Sequence, residues 1–187
     1  MQNNIGEILA KNSIIPVVTI QSEEELNSIY DKLKAQNIQC IEITLRTPYA
    51  WEAIAEYKNR FGKEFSVGVG TITSVEQVVK CQKLGVDFMV SPGYSVELIS
   101  AMKESNIAFL PGAVTPGEII KGMELGLSFF KFFPANLFGG IEAMKAYGSV
   151  FKGIKFCPTG GVNEHNVQDF LALENVVSVG GTWLLNK

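Results

Sequence analysis

"QSEEELNSIYDKLKAQNIQCIEITLR", residues 21–46, holds one complete helix-then-strand unit, and the rest of the chain repeats it. Ser22 stands three residues ahead of Glu25, a capping box that starts a helix. Leu26, Ile29, Tyr30 and Leu33 then recur at helical spacing along one face. From residue 39 the period drops to two. Ile41, Ile43 and Leu45 share one face of a short strand and suit burial beneath helices, while Cys40, Glu42, Thr44 and Arg46 share the other.

The same alternation extends in both directions. Strands are expected at 14–20, 39–45, 64–70, 86–90, 107–110, 127–133, 153–157 and 176–180, starting about every 20–26 residues, which leaves room for a helix and two short loops in each interval. Capping boxes recur at Ser74 with Gln77 and at Thr115 with Glu118, where Pro116 takes the first helical position. Gly85 and Gly126 are placed to end helices in a left-handed turn.

Strict βα alternation calls for a parallel sheet. Eight units in one domain spanning residues 1–187 predict a closed (β/α)8 TIM barrel at the compact end of its range, preceded by a short helix at about 3–12. A doubly wound open sheet is the alternative, because periodicity does not show closure. After the eighth strand "GTWLLNK" is too short for a full helix, so the eighth helix is missing on this reading. Its flank would be covered by a helix lost from the chain, by another subunit, or by the N-terminal segment.

Composition narrows the class. Apolar residues make up 47% of the 187 and charged residues 19%, a folded and soluble balance. A net charge of −3 and the absence of a basic run give no attraction to nucleic acid or to anionic membranes. No apolar run approaches the ~20 residues of a membrane helix, and the N-terminus has no signal-peptide pattern. Cys40, Cys81 and Cys157 are widely spaced and suit reduced thiols, so the cytoplasm is the expected compartment. A single histidine, His165, excludes a multi-histidine metal site and reads as an exposed helix-start residue.

The chemistry concentrates in "FFKFFPAN", residues 129–136. Strand parity groups Lys131 with Phe129 and Phe133, and the helix-facing side of a parallel strand is normally apolar. Lys131 therefore points inward, late in strand six, where barrel enzymes keep catalytic groups. Apolar surroundings disfavour the charged amine, and a neutral amine forms a Schiff base with a carbonyl substrate. Glu42, on the interior face of strand two, could serve as general acid/base. Two blander readings stay open: a Lys131 that snorkels to the surface, and a Glu42 that simply pairs with Arg46 or Lys131.

Two glycine pairs follow the seventh and eighth strands, in "CPTGGV" and "SVGGTW". Glycines there let backbone N–H groups approach an anion, and these loops form the usual phosphate cup of such barrels. Thr159 and Thr182 add hydroxyls. "GVGT" at 68–71 lacks the remainder of a dinucleotide fingerprint. It is either a tight turn or a device that puts Thr71 at the mouth to hold a carboxylate. Trp51 and Trp183 read as packing.

Taken together, "IEITLRTP", "VGVGT", "SPG", "LPGAVTPGE", "KFFPA", "FCPTGGV" and "VGGTWL" resemble, in order, the 2-keto-3-deoxy-6-phosphogluconate (KDPG) / 4-hydroxy-2-oxoglutarate (KHG) aldolases. The resemblance implies a class I aldolase, usually a homotrimer, with no metal and no other cofactor. It would act on a phosphorylated 2-keto acid in the Entner–Doudoroff pathway, yielding pyruvate and D-glyceraldehyde 3-phosphate, and in many members would also cleave 4-hydroxy-2-oxoglutarate. It implies Lys131 as the Schiff-base lysine, Glu42 as acid/base, and Arg46 and Thr71 on the pyruvyl carboxylate. Gly160, Gly161, Gly181 and Thr182 would form the phosphate site, with Thr159, Pro92 and Phe133 lining the pocket. Threonine at 182 stands where the family commonly has serine. An aldolase for the galactonate-derived epimer, and a non-catalytic phosphate-ligand-binding barrel, are the competing functions.

Overall fold

The three helices with capping signals in the sequence begin directly after Ser22, Ser74 and Thr115. The computed structural model describes residue 2 and residues 4–185. Helix α1 (Ile5–Lys11) leads into β1 (Ile14–Val18), α2 (Glu23–Ala35), β2 (Cys40–Thr44), α3 (Ala50–Phe61) and β3 (Ser66–Gly70). Next come α4 (Val75–Leu84), β4 (Phe88–Val90), α5 (Val96–Glu104), β5 (Ala108–Leu110) and α6 (Pro116–Glu124). The chain continues through β6 (Phe129–Phe132), a 3-10 turn (Ala135–Phe138), α7 (Gly140–Val150), β7 (Lys155–Pro158), α8 (Val167–Leu171) and β8 (Val179–Gly181). The expected start of α1, at residue 3, lies outside the described residues.

Ser74 with Gln77 and Thr115 with Glu118 make complete capping boxes. At α2 the box is divided: Ser22 Oγ accepts from the Glu25 N–H, but the Glu25 carboxylate takes the N–H of Gln21. Gly85 ends α4 in the left-handed conformation, φ 62°, and Gly126, φ 73°, follows α6. Several strands are shorter than their apolar runs. Leu127 and Val176 are buried, yet their N–H groups turn back to Gly122 and Leu173, which spends them on loops.

All strand pairs are parallel. Six strands form one curled sheet in the order β5-β4-β3-β2-β1-β8, and β6 pairs with β7 separately. The regular ladder is therefore six plus two, where one eight-stranded ladder was expected. Prolines account for the breaks. Pro111 and Pro158 stand at the two joins and have no N–H to give a ladder. What remains is isolated: Gly112 bridges to Lys131, Phe156 to Val176, and Thr159 to Gly180.

The apolar residues divide into two groups. The larger lies between sheet and helices; the smaller gathers Ile15, Cys40, Phe88, Val90, Ala108, Leu110 and Cys157 on the concave side. Ile5 and Leu9 of α1 belong to this smaller group, so α1 closes the end where the strands begin. Gln2 fastens that closure. Its side-chain oxygen accepts from the N–H groups of Ser128 and Phe129, and its amide donates to the Phe129 carbonyl. The N-terminal segment thus covers the inner end and not the β8 flank suggested by sequence. Past β8 a 3-10 turn (Trp183–Leu185) packs on α2, its carbonyls accepting from Lys32 and Gln36. No described helix is long and apolar enough to cross a membrane.

Candidate active site

Strand β6 sets the site by parity. Phe130 and Phe132 are fully buried in the outer core, which turns Lys131 to the concave side. Lys131 is 5% exposed and Glu42 3%. The Lys131 Nζ donates to Glu42 Oε1 at 2.9 Å and to Oε2 at 3.2 Å. The carboxylate absent from the local sequence arrives from β2, 89 residues earlier. Of the two expected pairings for Glu42, Lys131 is the one formed. Removing either partner would strand a buried charge, at about 3–5 kcal/mol.

The amine also lies 5.5 Å from the Phe133 ring centroid, a cation–π distance. Cys157 sits opposite Lys131 in the β6–β7 register. Burial pushes its thiol up to about 12, so it stays protonated at neutral pH and does not compete as a nucleophile.

Beside the amine opens a cavity of about 170 Å³. Lys131, Arg46, Phe133 and Thr159 line one part of it, and Gly160, Gly161, Gly181 and Thr182 another. Gly160 and Gly161 have φ 96° and 73°, a region that side chains rarely adopt. Among the described residues the Gly161 N–H has no protein partner, while Gly160 adjoins the Thr159–Gly180 bridge to β8. Thr159 is 5% exposed, and its hydroxyl fits against the bare Cα of Gly180. Arg46 is exposed and has no ion-pair partner among the described residues.

Not every expected residue joins this cavity. Pro92 lines a neighbouring one of about 280 Å³ with Ile72, Thr73 and Tyr94. Thr71 lines neither; it follows β3 half-buried, with a left-handed φ of 68°. Val17 and Val162 line the lysine cavity and went unread in the sequence. Val17 had a signal, since parity places it on the same face as Ile15; Val162 had none beyond its place after the glycines. His165 has an 87% exposed side chain, away from this chemistry. Among the described residues no cluster of three or more His, Cys, Asp or Glu could hold a metal.

An amine beside a carboxylate at the ends of parallel strands suits bond-making and bond-breaking at a carbonyl carbon, and the class these features define is an aldolase. The family model for KDPG and KHG aldolase matches residues 5–187, and the chain belongs to that family. The 2-dehydro-3-deoxy-phosphogluconate aldolase of Dickeya dadantii is 38% identical, covering 96% of this chain and 84% of its own. The KHG/KDPG aldolase of Escherichia coli is 36% identical, with coverages of 95% and 83%. Among solved structures, KDPG aldolase from Legionella pneumophila, with pyruvate captured as a covalent carbinolamine intermediate, superposes with a TM-score of 0.91. It is 39% identical and covers 95% of this chain and 86% of its own.

Proposed function

We propose that the chain cleaves 2-dehydro-3-deoxy-6-phosphogluconate to pyruvate and D-glyceraldehyde 3-phosphate through a Schiff base on Lys131, with residues 1–187 acting as one domain. The observation that carries this reading is the buried Lys131–Glu42 pair beside a cavity rimmed by Arg46 and two glycine pairs. The amine adds to the keto carbon, and loss of water leaves an iminium. The iminium draws in the electrons of the breaking carbon–carbon bond while the substrate hydroxyl gives up its proton, releasing the aldehyde and leaving an enamine. Protonation and hydrolysis then free pyruvate. Glu42, within hydrogen-bond reach of the amine, carries the protons.

Arg46 pairs with the carboxylate of the keto acid, assisted by Thr71, while Phe133, Pro92 and Thr159 shape the approach. The free N–H of Gly161, with Gly160, Gly181 and Thr182, receives the phosphate. The Escherichia coli relative's name supports 4-hydroxy-2-oxoglutarate as a further substrate; relative kcat/KM decides between the two, and against the galactonate epimer. The isolated bridges at Gly112–Lys131 and Thr159–Gly180 support a reading in which all eight strands close into one barrel. We place the enzyme in the cytoplasm, acting without metal or cofactor. A homotrimer is the assembly implied by the resemblance, and exposed Leu137 and Phe138 offer apolar surface for it; sedimentation measures the state.

The test is reductive trapping. Pyruvate with borohydride is expected to leave a three-carbon adduct on Lys131, located by peptide mapping. An adduct elsewhere, or turnover retained in Lys131→Ala, overturns the reading.

A further inference from the structure

We propose that Gly70 is a positioning residue for the Glu42 carboxylate, an assignment that rests on the acid/base reading of Glu42 above. Strand β3 presents glycine at two successive concave-side positions, Gly68 and Gly70. Their register partners on β2 are Glu42 and Thr44. A Cβ built on Gly68 would overlap the Phe88 ring from β4, and one built on Gly70 would overlap Glu42 Oε1 and come within 2.9 Å of its Cγ and Cδ. Side chains from both flanking strands therefore lean over a bare strand.

Neither glycine has a left-handed φ, so turn geometry does not require them. The requirement is spatial. With nothing on Gly70, the outer half of the Glu42 side chain lies across β3, and its carboxylate meets the Lys131 Nζ with both oxygens. A methyl group at position 70 occupies that ground. The displaced atoms are the far end of a side chain, so the protein can yield by moving the carboxylate off the amine. The damage then falls on proton transfer.

The proton step that isolates this effect needs no phosphorylated substrate. Once pyruvate is bound to Lys131 as an iminium, the carboxylate takes a methyl proton, the C–H electrons pass to the iminium nitrogen, and an enamine results. Return of a deuteron in heavy water reverses the step, with no oxidant or reductant involved. Exchange of the pyruvate methyl protons, followed by NMR, reads the placement of Glu42, while borohydride trapping reads Lys131.

In Gly70→Ala we expect trapping to persist while exchange slows about 100-fold, the low end of what a placed acid/base contributes. Aspartate at position 42 is one methylene shorter and gives up the tightest contact, that of Oε1, leaving 2.9 Å between Cγ and the new methyl for a small side-chain rotation to relieve. The double variant Gly70→Ala with Glu42→Asp is therefore expected to exchange at least about tenfold faster than Gly70→Ala alone, although Glu42→Asp by itself is slower than wild type. Wild-type exchange in Gly70→Ala, or a double variant no faster than it, overturns the assignment. Should Gly70→Ala not fold, the double variant decides: folding and exchanging within about tenfold of Glu42→Asp upholds the role, and failure in either overturns it. Absence of any wild-type adduct on Lys131 overturns this assignment together with the aldolase reading; a wild-type adduct with unimpaired Gly70→Ala overturns this assignment alone.

Discussion

Thr71 holds a backbone conformation that branched side chains avoid, φ 68°, directly after β3. Such a residue costs about 1–3 kcal/mol and persists where function or surrounding structure demands it. Glycine at that position removes the strain and loses about 0.5–1 kcal/mol of that gain to backbone entropy. Thr71→Gly is expected to melt at or above the wild-type temperature, yet to raise KM for pyruvate-derived substrates, because the hydroxyl assigned to the carboxylate is gone. Calorimetry and steady-state kinetics check the two halves separately. A variant that loses stability and keeps its KM would make Thr71 a packing residue. The sequence showed Thr71 only as the end of a turn-like "GVGT"; its backbone angle depends on β3 and β4, since the next N–H bonds to the Val90 carbonyl.

Helix caps are the features that sequence displays most directly, because donor and acceptor stand three residues apart. Thr115 with Glu118 is a closed pair, with the carboxylate also accepting from the Val114 and Thr115 N–H groups. Ser22 with Glu25 is half a pair. Thr115→Ala is therefore expected to cost about 1 kcal/mol, and Ser22→Ala distinctly less within the same range of cap effects; urea melts of the two variants give the comparison. Strand parity is legible for a similar reason, and it puts Lys131 and Glu42 on the concave side. Their pairing was legible only as one of two options, since 89 residues separate them. The breaks in the ladder were harder. Pro111 and Pro158 stood in plain view, but only the sheet order shows that they fall where β5 meets β6 and where β7 meets β8.

At the scale of the whole molecule, the concave side is a chemical compartment with an apolar floor. Leu9 is 1% exposed there, packed with residues from several strands and far in sequence from most of them. Leu9→Ala is expected to lower stability by about 2–5 kcal/mol, as for other buried leucines, while leaving pyruvate trapping at Lys131 intact in the folded fraction; denaturation curves beside peptide mapping test this. Sequence predicted α1 but not its destination, because two apolar residues four apart announce burial without saying against what. Its fastening has a consequence for synthesis. The Gln2 side chain finds its partners at Ser128 and Phe129, 126 and 127 residues downstream. While the polypeptide is emerging from the ribosome, that first turn has nothing to grip, so sealing the floor must come late, after five strands have already left the exit tunnel.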